Sequence, residues 1–354
     1  MNSQGRSEFL YSAVELCKSV AMLTQKHHGY KTVLTRNNLA SILLFVVSLT
    51  VGLFGAELVL RFNNSSMKNY NIEMWRYARE LKIASDRPEL GHEHLRNKSS
   101  MLQSVDIRLN EWGLRGRPVM AQKPGGRRIL VLGGSITLGW GVEETETMTA
   151  RLEQMFEATG KPAEVLNAGV GNYNAQRYTE NFFRNLKDLE PTDIVVHYFL
   201  RDAETLETGG GNILLRHSQL AVTVWAAIQN TMAPNGENVL TDHYNSVYDP
   251  SKAGFKTMQS ELKKLADYAN EKKIRIYLAM VPDVHNLTNY PFSAIHDRVK
   301  QLANELGYTY VDLLPGFANL KPEQIWAMPG DPHPNGLGHK IMADQLFPVL
   351  DLKQ

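Results

Sequence analysis

From Leu39 to Ala56 the chain reads LASILLFVVSLTVGLFGA without a charge, and apolar character resumes past Glu57 with Leu58, Val59 and Leu60. A bilayer core about 30 Å thick is crossed by about 20 residues of helix. Water is absent there, so a helix is the form that satisfies its own backbone. A cleavable signal peptide has a shorter apolar core near the start and a small-residue cleavage site. Nearly forty residues precede this run, so it reads as a retained single-pass anchor over residues 39–60. Residues 1–38 then form an N-terminal tail, expected on the cytoplasmic side. Lys26, Lys31 and Arg36 before the helix are matched by Arg61, Lys68, Arg76 and Arg79 after it, so the positive-inside rule does not orient it. Cys17, the only cysteine, lies before the helix. Everything after it can enter an oxidising compartment without mispairing, which favours an inner (cytoplasmic) membrane protein with a periplasmic or extracellular C-terminal domain. Glu57 is expected either as an interfacial acid or as a partner for Arg61 one turn on. The helix carries no small-xxx-small pair of glycines and so no dimerisation signal.

The 354 residues suffice for one large or two modest domains. Lys plus Arg number 38 against 37 Asp plus Glu, a net charge of +1 that leaves no basic footprint for nucleic acid. Hydrophobic residues at 43% and charged residues at 21% exclude disorder and a polytopic membrane protein. One thiol excludes an intrachain disulfide and a cysteine zinc site.

Residues 61–126 are polar and irregular and read as a stalk, with a short mixed-charge helix near Met74 to Lys82. A regular alternation follows. Arg128 to Gly133, Ala163 to Ala168, Asp193 to Leu200, Ile274 to Val281 and Tyr308 to Leu314 are short apolar strands. Helices are expected at Thr145 to Thr159, at Asn174 to Leu189 with Asn174 as N-cap, and at Asn335 to Leu350. Phe255, Met258, Leu262, Leu265 and Ala269 recur at helical spacing and mark another. Near-continuous apolar strands between amphipathic helices mean a parallel sheet covered on both faces, an α/β fold, with its site at the carboxyl ends of the strands. Residues 127–354 form this domain, and 203–250, with Gly209 to Gly211 and an apolar stretch from Leu220 to Ile228, interrupt it. That stretch is too short to span a bilayer and reads as a lid or a packing helix.

The first strand runs into Gly133, Gly134, Ser135, Ile136, Thr137, Leu138, Gly139, Trp140, Gly141. A serine at a strand-to-helix junction flanked by glycines is exposed beside helix N-terminal amides. Gly134 and Gly139 have phosphate-loop spacing, but Trp140 stands in place of the lysine and Gly141 in place of Ser or Thr, which excludes that motif. An unreactive tight turn is the plain alternative. Near the end lie Asp331, Pro332, His333, Pro334 and Asn335, where an acid two residues from a histidine can hold the ring in one tautomer. Serine is a weak nucleophile until such a base is in reach. His197 reads as a buried strand residue, His339 as a helix residue, and the other histidines as having no paired acid. Asn167, Ala168, Gly169, Val170, Gly171 and Asn172 end the second strand, and small residues there expose amides suited to an oxyanion hole.

Taken in order, these blocks resemble the SGNH hydrolase family, the GDSL-like esterases, over Arg127 to Leu350, and Asn110, Gly113, Leu114, Arg115 and Gly116 are similar to a lead-in segment of its membrane-anchored bacterial members. The resemblance implies a three-layer α/β/α sandwich with a five-stranded parallel, flavodoxin-like sheet. It makes Ser135 the nucleophile, His333 the base and Asp331 its orienter, with the amides of Ser135 and Gly169 as oxyanion donors. This sequence departs from the family pattern in three places. Gly134 replaces the usual aspartate of the first block. Phe199, Leu200, Arg201, Asp202 stand where the family has Gly-x-Asn-Asp, so that Arg201 takes the place of a donor asparagine or pairs with Asp202. The acid lies two residues before the histidine rather than three. A membrane-anchored esterase or O-acyltransferase acting on acetyl groups of a cell-envelope or secreted polysaccharide is the leading expectation. Trp140, Asn172 and Trp326, with Tyr173, are candidates for contacting the sugar. A catalytically weak glycan-binding or assembly scaffold and a lipid esterase are the alternatives. The partners expected are an acylated carbohydrate or other ester, the membrane through one helix, and a membrane-bound polysaccharide-modifying protein. No cofactor or metal is expected.

Overall fold

The computed structural model describes residues 36–207, 213–233, 236 and 238–352. The expected tail up to residue 35, Cys17 included, and the Gly209 to Gly211 run lie outside the described residues. The chain divides into two compact units between Ala56 and Glu57. Helix α1 (Arg36–Asn63) carries bare apolar side chains, among them Leu44 and Phe45, both 67% exposed. It is the one helix among the described residues long and apolar enough to cross a membrane.

In the unit that begins at Glu57, residues 63–126 are packed in rather than strung out, which corrects the stalk reading. Helix α2 (Tyr70–Glu80) is N-capped by Asn69, whose side chain accepts from Ile72 N–H. A hairpin of Lys98–Leu102 with Val105–Leu109 follows. Val105, Ile107 and Leu109 are buried while Asp106 and Arg108 face water, the period-two pattern of a one-sided strand. With Tyr77, Leu81 and Leu102 these residues close a small core around Leu138 and Trp140.

The main sheet has five parallel strands in the order β2-β1-β3-β4-β5. They are β1 (Arg128–Gly133), β2 (Glu164–Gly169), β3 (Asp193–Tyr198), β4 (Arg275–Met280) and β5 (Thr309–Asp312). Every residue of β1, β2 and β3 is buried. Helices α3 (Met148–Ala158), α4 (Ala175–Asn181), α5 (Gln219–Met232) and α6 (Val239–Val247) come next along the chain. They are followed by α7 (Ala253–Lys272), α8 (Ser293–Glu305) and α9 (Gly336–Asp351). Because side chains alternate along a strand, Ile129 and Val131 pack on one face with Leu152 and Phe156 of α3 and Met342 and Leu346 of α9. Leu130 and Leu132 pack on the other with Tyr178 of α4, Leu262 of α7 and Val299 of α8. The two layers of helices and the sheet make the expected three-layer α/β/α sandwich.

Asn174 caps α4 as its sequence position suggests, accepting from Arg177 N–H, and Asn335 caps α9 through Leu337 and Gly338 N–H. The helical path after α4 continues to Leu189 through a π turn (Phe182–Leu186) and a 3₁₀ turn. Gly133 pairs with both Gly169 and His197, so three strands end level and their following loops converge on one edge.

Candidate active site

At that edge β1 stops at Gly133, where a Cβ would lie 2.1 Å from Thr137 Oγ1 and 2.9 Å from His197 O. Only glycine permits so close an approach. The chain then makes one helical turn, Ser135–Leu138, and leaves it through Gly139 in the left-handed region (φ 79°). Ser135 Oγ lies 2.8 Å from His333 Nε2. His333 sits on Asp331–Pro334, a short strand paired antiparallel with Trp326–Met328. Its Nδ1 is 2.5 Å from Asp331 Oδ1, which also accepts the His333 backbone N–H at 3.2 Å. A carboxylate on Nδ1 fixes the proton there and leaves Nε2 to accept from the serine hydroxyl.

Two residues of the packed-in segment complete this arrangement. Gln103 Nε2 donates to Asp331 Oδ2 at 3.0 Å, reaching it from the two-residue hairpin turn of Gln103 and Ser104, both with positive φ (51° and 64°) as such turns demand. Tyr70, at the start of α2, stacks on His333 with ring centroids 5.9 Å apart. Burial and the Asp331 charge push its hydroxyl up to about 12. Neither residue was expected from the sequence.

Burial disfavours the Asp331 carboxylate, but the hydrogen bonds and charge of His333 and the Gln103 amide outweigh it and hold the group below its ordinary value. A carboxyl depressed in the fold contributes stability above its unfolded value of about 3.9 and loses that contribution as pH falls through the folded value. The thermal midpoint of the wild type is therefore expected to drop from about pH 5 towards about pH 3, and Asp331→Asn to drop less steeply over that range. Parallel curves for the two proteins would remove Asp331 from the acid response.

The serine and histidine open into a cavity of about 260 Å³ whose walls include Tyr70, Asn172, Tyr173, Phe199, Arg201, Leu240, Tyr244 and Val284. Asn172 takes a left-handed conformation there (φ 64°). Arg201 also lines the cavity. Its Nε pairs with Glu204 Oε2 at 3.1 Å and its Nη2 donates to Asn172 Oδ1 at 3.4 Å. Asp202 is not its partner: that carboxyl accepts Phe199 N–H at 3.3 Å, and burial pushes its pKa well above the ordinary value.

Three expected contributors lie elsewhere. Gly169 does not line the cavity. Its N–H donates to Asn167 Oδ1 at 3.0 Å, and a Cβ there would meet Leu138 N at 2.1 Å, so this glycine serves close packing of β2 on the Ser135 turn. Trp140 is 1% exposed and packs on Tyr77 with centroids 5.3 Å apart, in the core and away from any sugar. Trp326 stands behind the wall, its indole N–H donating to Val284 O at 3.0 Å. The apolar helix α5 does not line this cavity either, so it is the packing helix and not a lid over Ser135. Its N-terminus is held by Glu57, which accepts from Ser218 Oγ, Gln219 N–H and Leu220 N–H as well as pairing with Arg61.

His197 is buried in β3 and His339 lies in α9, as expected, and His339 is buried as well. Three of the other histidines do have acid partners, while His92 and His94 pair with backbone carbonyls and Tyr77. His285 Nδ1 lies 2.9 Å from Asp283 Oδ1 on the cavity wall, His296 Nδ1 lies 3.0 Å from Asp312 Oδ1, and His243 Nε2 lies 2.9 Å from Glu204 Oε1. The Asp283-x-His285 spacing repeats that of Asp331 and His333, a signal the sequence did carry. Among the described residues no group of three or more His, Cys, Asp or Glu side chains is arranged to hold a metal ion.

Residues 131–341 match the sequence model of the GDSL-like Lipase/Acylhydrolase family. The chain belongs to this family. Ser135 and His333 both fall within the matched span, and the chain is an ester-bond hydrolase of the GDSL-like type. No curated protein matches the sequence. Solved structures similar to it include TesA, at 15% identity over 64% of this chain and 99% of that one, TM-score 0.44. The enzyme LAE5 from the metagenome of Lake Arreo, Spain, is 15% identical over 65% of this chain and 97% of that one, TM-score 0.44. The acetylxylan esterase Axe2 from Geobacillus stearothermophilus is 16% identical over 63% of this GDSL-like chain and 93% of its own, TM-score 0.41.

Proposed function

We propose that this is a membrane-anchored serine esterase whose triad is Ser135, His333 and Asp331, and that it removes or transfers small acyl groups, acetyl first, carried by a cell-envelope or secreted polysaccharide. The observation that carries the reading is the unbroken hydrogen-bond line from Ser135 Oγ through His333 to Asp331. In the reaction Ser135 Oγ attacks the ester carbonyl carbon while His333 Nε2 takes the hydroxyl proton. The tetrahedral intermediate then expels the alcohol, which receives that proton, and leaves an acyl-Ser135 ester. Water, or a sugar hydroxyl in the transferase version, attacks the acyl carbon with its proton going to His333, and the second tetrahedral intermediate expels Ser135 Oγ, which takes that proton back. The charged imidazolium formed at each step is stabilised by the buried Asp331 carboxylate.

The oxyanion donors are the backbone N–H groups of Ser135 and of Asn172, in place of Gly169. Neither amide has an acceptor among the described residues, and both residues line the cavity. The left-handed conformation at Asn172 is one that asparagine tolerates better than most residues. Arg201 is the third contributor, its guanidinium held over Asn172 and adding positive charge where the oxyanion forms. Arg201→Ala should lower kcat on a neutral acetyl ester by about 10- to 100-fold with little change in KM. An unchanged kcat would leave the two amides as the whole oxyanion hole.

The cavity volume and its wall of Phe199, Leu240, Tyr244 and Val284 suit a short acyl group. Purified full-length protein is expected to cleave 4-nitrophenyl acetate at least about tenfold faster in kcat/KM than the octanoate, a difference of about 1.4 kcal/mol in transition-state binding. Preference for the octanoate would turn the reading toward a lipid esterase. The bare apolar side chains of α1 support the anchor, which would hold the domain at the inner membrane with its cleft facing the periplasm or exterior.

A further inference from the structure

Beside the catalytic cavity, and sharing Tyr70 and Asn172 with it as a common wall, lies a second cavity of about 410 Å³. The mechanism above makes no use of it. Its walls combine indoles and cations. Trp75 of α2 and Trp225 of α5 meet edge to face with centroids 5.9 Å apart, and Lys82 and Arg177 line the same space.

These two cations have no carboxylate partner among the described residues. Lys82 Nζ donates to Gly171 O at 2.7 Å and lies over the Tyr77 ring. Arg177, 3% exposed, donates to the carbonyls of Asn172 and Glu207 at 2.9 and 2.8 Å. Lys82 has three N–H donors and Arg177 five, so both retain unused ones. Burial and the charge of Arg177 hold the Lys82 ammonium well below its ordinary pKa. Burial, then Lys82, push His92 on the same wall down to about 2. Buried like charges with no paired carboxylate are costly, and an anion entering the cavity relieves the cost. Among the described residues of that wall Glu207 is the only acidic one.

We propose that this second cavity is an anionic-saccharide subsite: it takes a sugar bearing a carboxylate, its ring against Trp75 and Trp225 and its carboxylate on Lys82 and Arg177, next to the sugar whose ester faces Ser135. The inference rests on the carbohydrate-esterase reading and narrows its substrate to an acidic polysaccharide. Arg177 links the two compartments, because the carbonyl it holds belongs to Asn172, the residue whose amide faces the oxyanion. Aromatic faces suit sugar rings, and a cavity of this size suits a ligand of one or two rings. Paired cations deep in it disfavour an acyl chain.

The test is calorimetric binding of trigalacturonate to full-length protein in a polyoxyethylene detergent, with maltotriose and inorganic phosphate as comparison ligands. Trigalacturonate is expected to bind at least about tenfold more tightly than either, a difference of about 1.4 kcal/mol. Lys82→Gln and, independently, Trp225→Ala should each weaken it about tenfold or more while both variants keep the wild-type unfolding midpoint within a few degrees. Equal affinity for maltotriose removes the charge requirement, and equal affinity for phosphate makes the site a free-anion site. Either result overturns the proposal, as does unweakened binding in the folded Lys82→Gln protein. Acetyl release from 4-nitrophenyl acetate is read separately. Its absence would defeat the esterase reading without touching the binding result, and binding failure would leave the esterase standing.

Discussion

Ser135→Ala is expected to reduce turnover of 4-nitrophenyl acetate by about 10⁴- to 10⁶-fold, with the folded protein unchanged. The substitution removes one oxygen, the atom 2.8 Å from His333 Nε2, so packing is preserved and the loss falls on the chemical step. Without Oγ no acyl-enzyme forms, and what remains is the polarisation of a bound carbonyl by the proposed oxyanion donors, the Ser135 and Asn172 amides with Arg201. His333→Ala should lose almost as much, and the double variant hardly more than either single one, because serine and base act as a unit. Each variant is assayed for 4-nitrophenol release and for labelling by a serine-directed phosphonate read by intact mass. Retention of a tenth of wild-type turnover in Ser135→Ala, or a phosphonate adduct on it, would place the nucleophile elsewhere.

How far the sequence disclosed this site follows from where each residue gets its position. Ser135 and His333 were legible because each stands in a short local signal, glycines around a strand end and an acid two residues from a ring. The five sheet strands were legible because parallel strands covered on both faces must be apolar throughout, as Ile194, Val195 and Val196 show. Gln103 and Tyr70 were not, since they reach Asp331 and His333 by the packing of a segment more than two hundred residues away in sequence. The alternation of Val105, Ile107 and Leu109 was available to argue against a stalk. Trp140 misled because it lies only five residues beyond Ser135 in sequence, while its side chain leaves the turn for the small core with Tyr77. Gly169 misled for the opposite reason. A glycine at a strand end can expose an amide or admit a neighbour, and here Leu138 occupies the space, so the exposed amide comes three residues later, at the left-handed Asn172.

The second large effect is expected at a residue that touches no substrate. Arg115 is 5% exposed, and its Nη1 donates to Leu138 O at 2.7 Å and Gly139 O at 2.6 Å, while Nη2 donates to Val142 O at 2.6 Å and Asp106 O at 3.4 Å. Its own N–H donates to Asn167 O at 3.1 Å. One guanidinium thus ties the end of the Ser135 turn to the 98–109 hairpin that presents Gln103 to Asp331. Burial lowers its pKa to about 10, opposed by the nearby Glu144, Glu143 and Asp106 charges, so it stays charged at neutral pH. Arg115→Met fills the space but strands buried carbonyls, and about 3 to 5 kcal/mol of stability should be lost. In a unit of this size that is a fall of about 10 °C in the unfolding midpoint, followed by tryptophan fluorescence. Arg115→Lys keeps the charge but offers a point donor in place of a planar fork, so it should recover only part of the midpoint. Both should show a lower kcat on the neutral acetyl ester at temperatures where they remain folded, since the turn carrying Ser135 has lost its tie. An Arg115→Met protein within about 1 kcal/mol of wild type would mean that the turn's carbonyls find other donors, and the positioning role would be withdrawn.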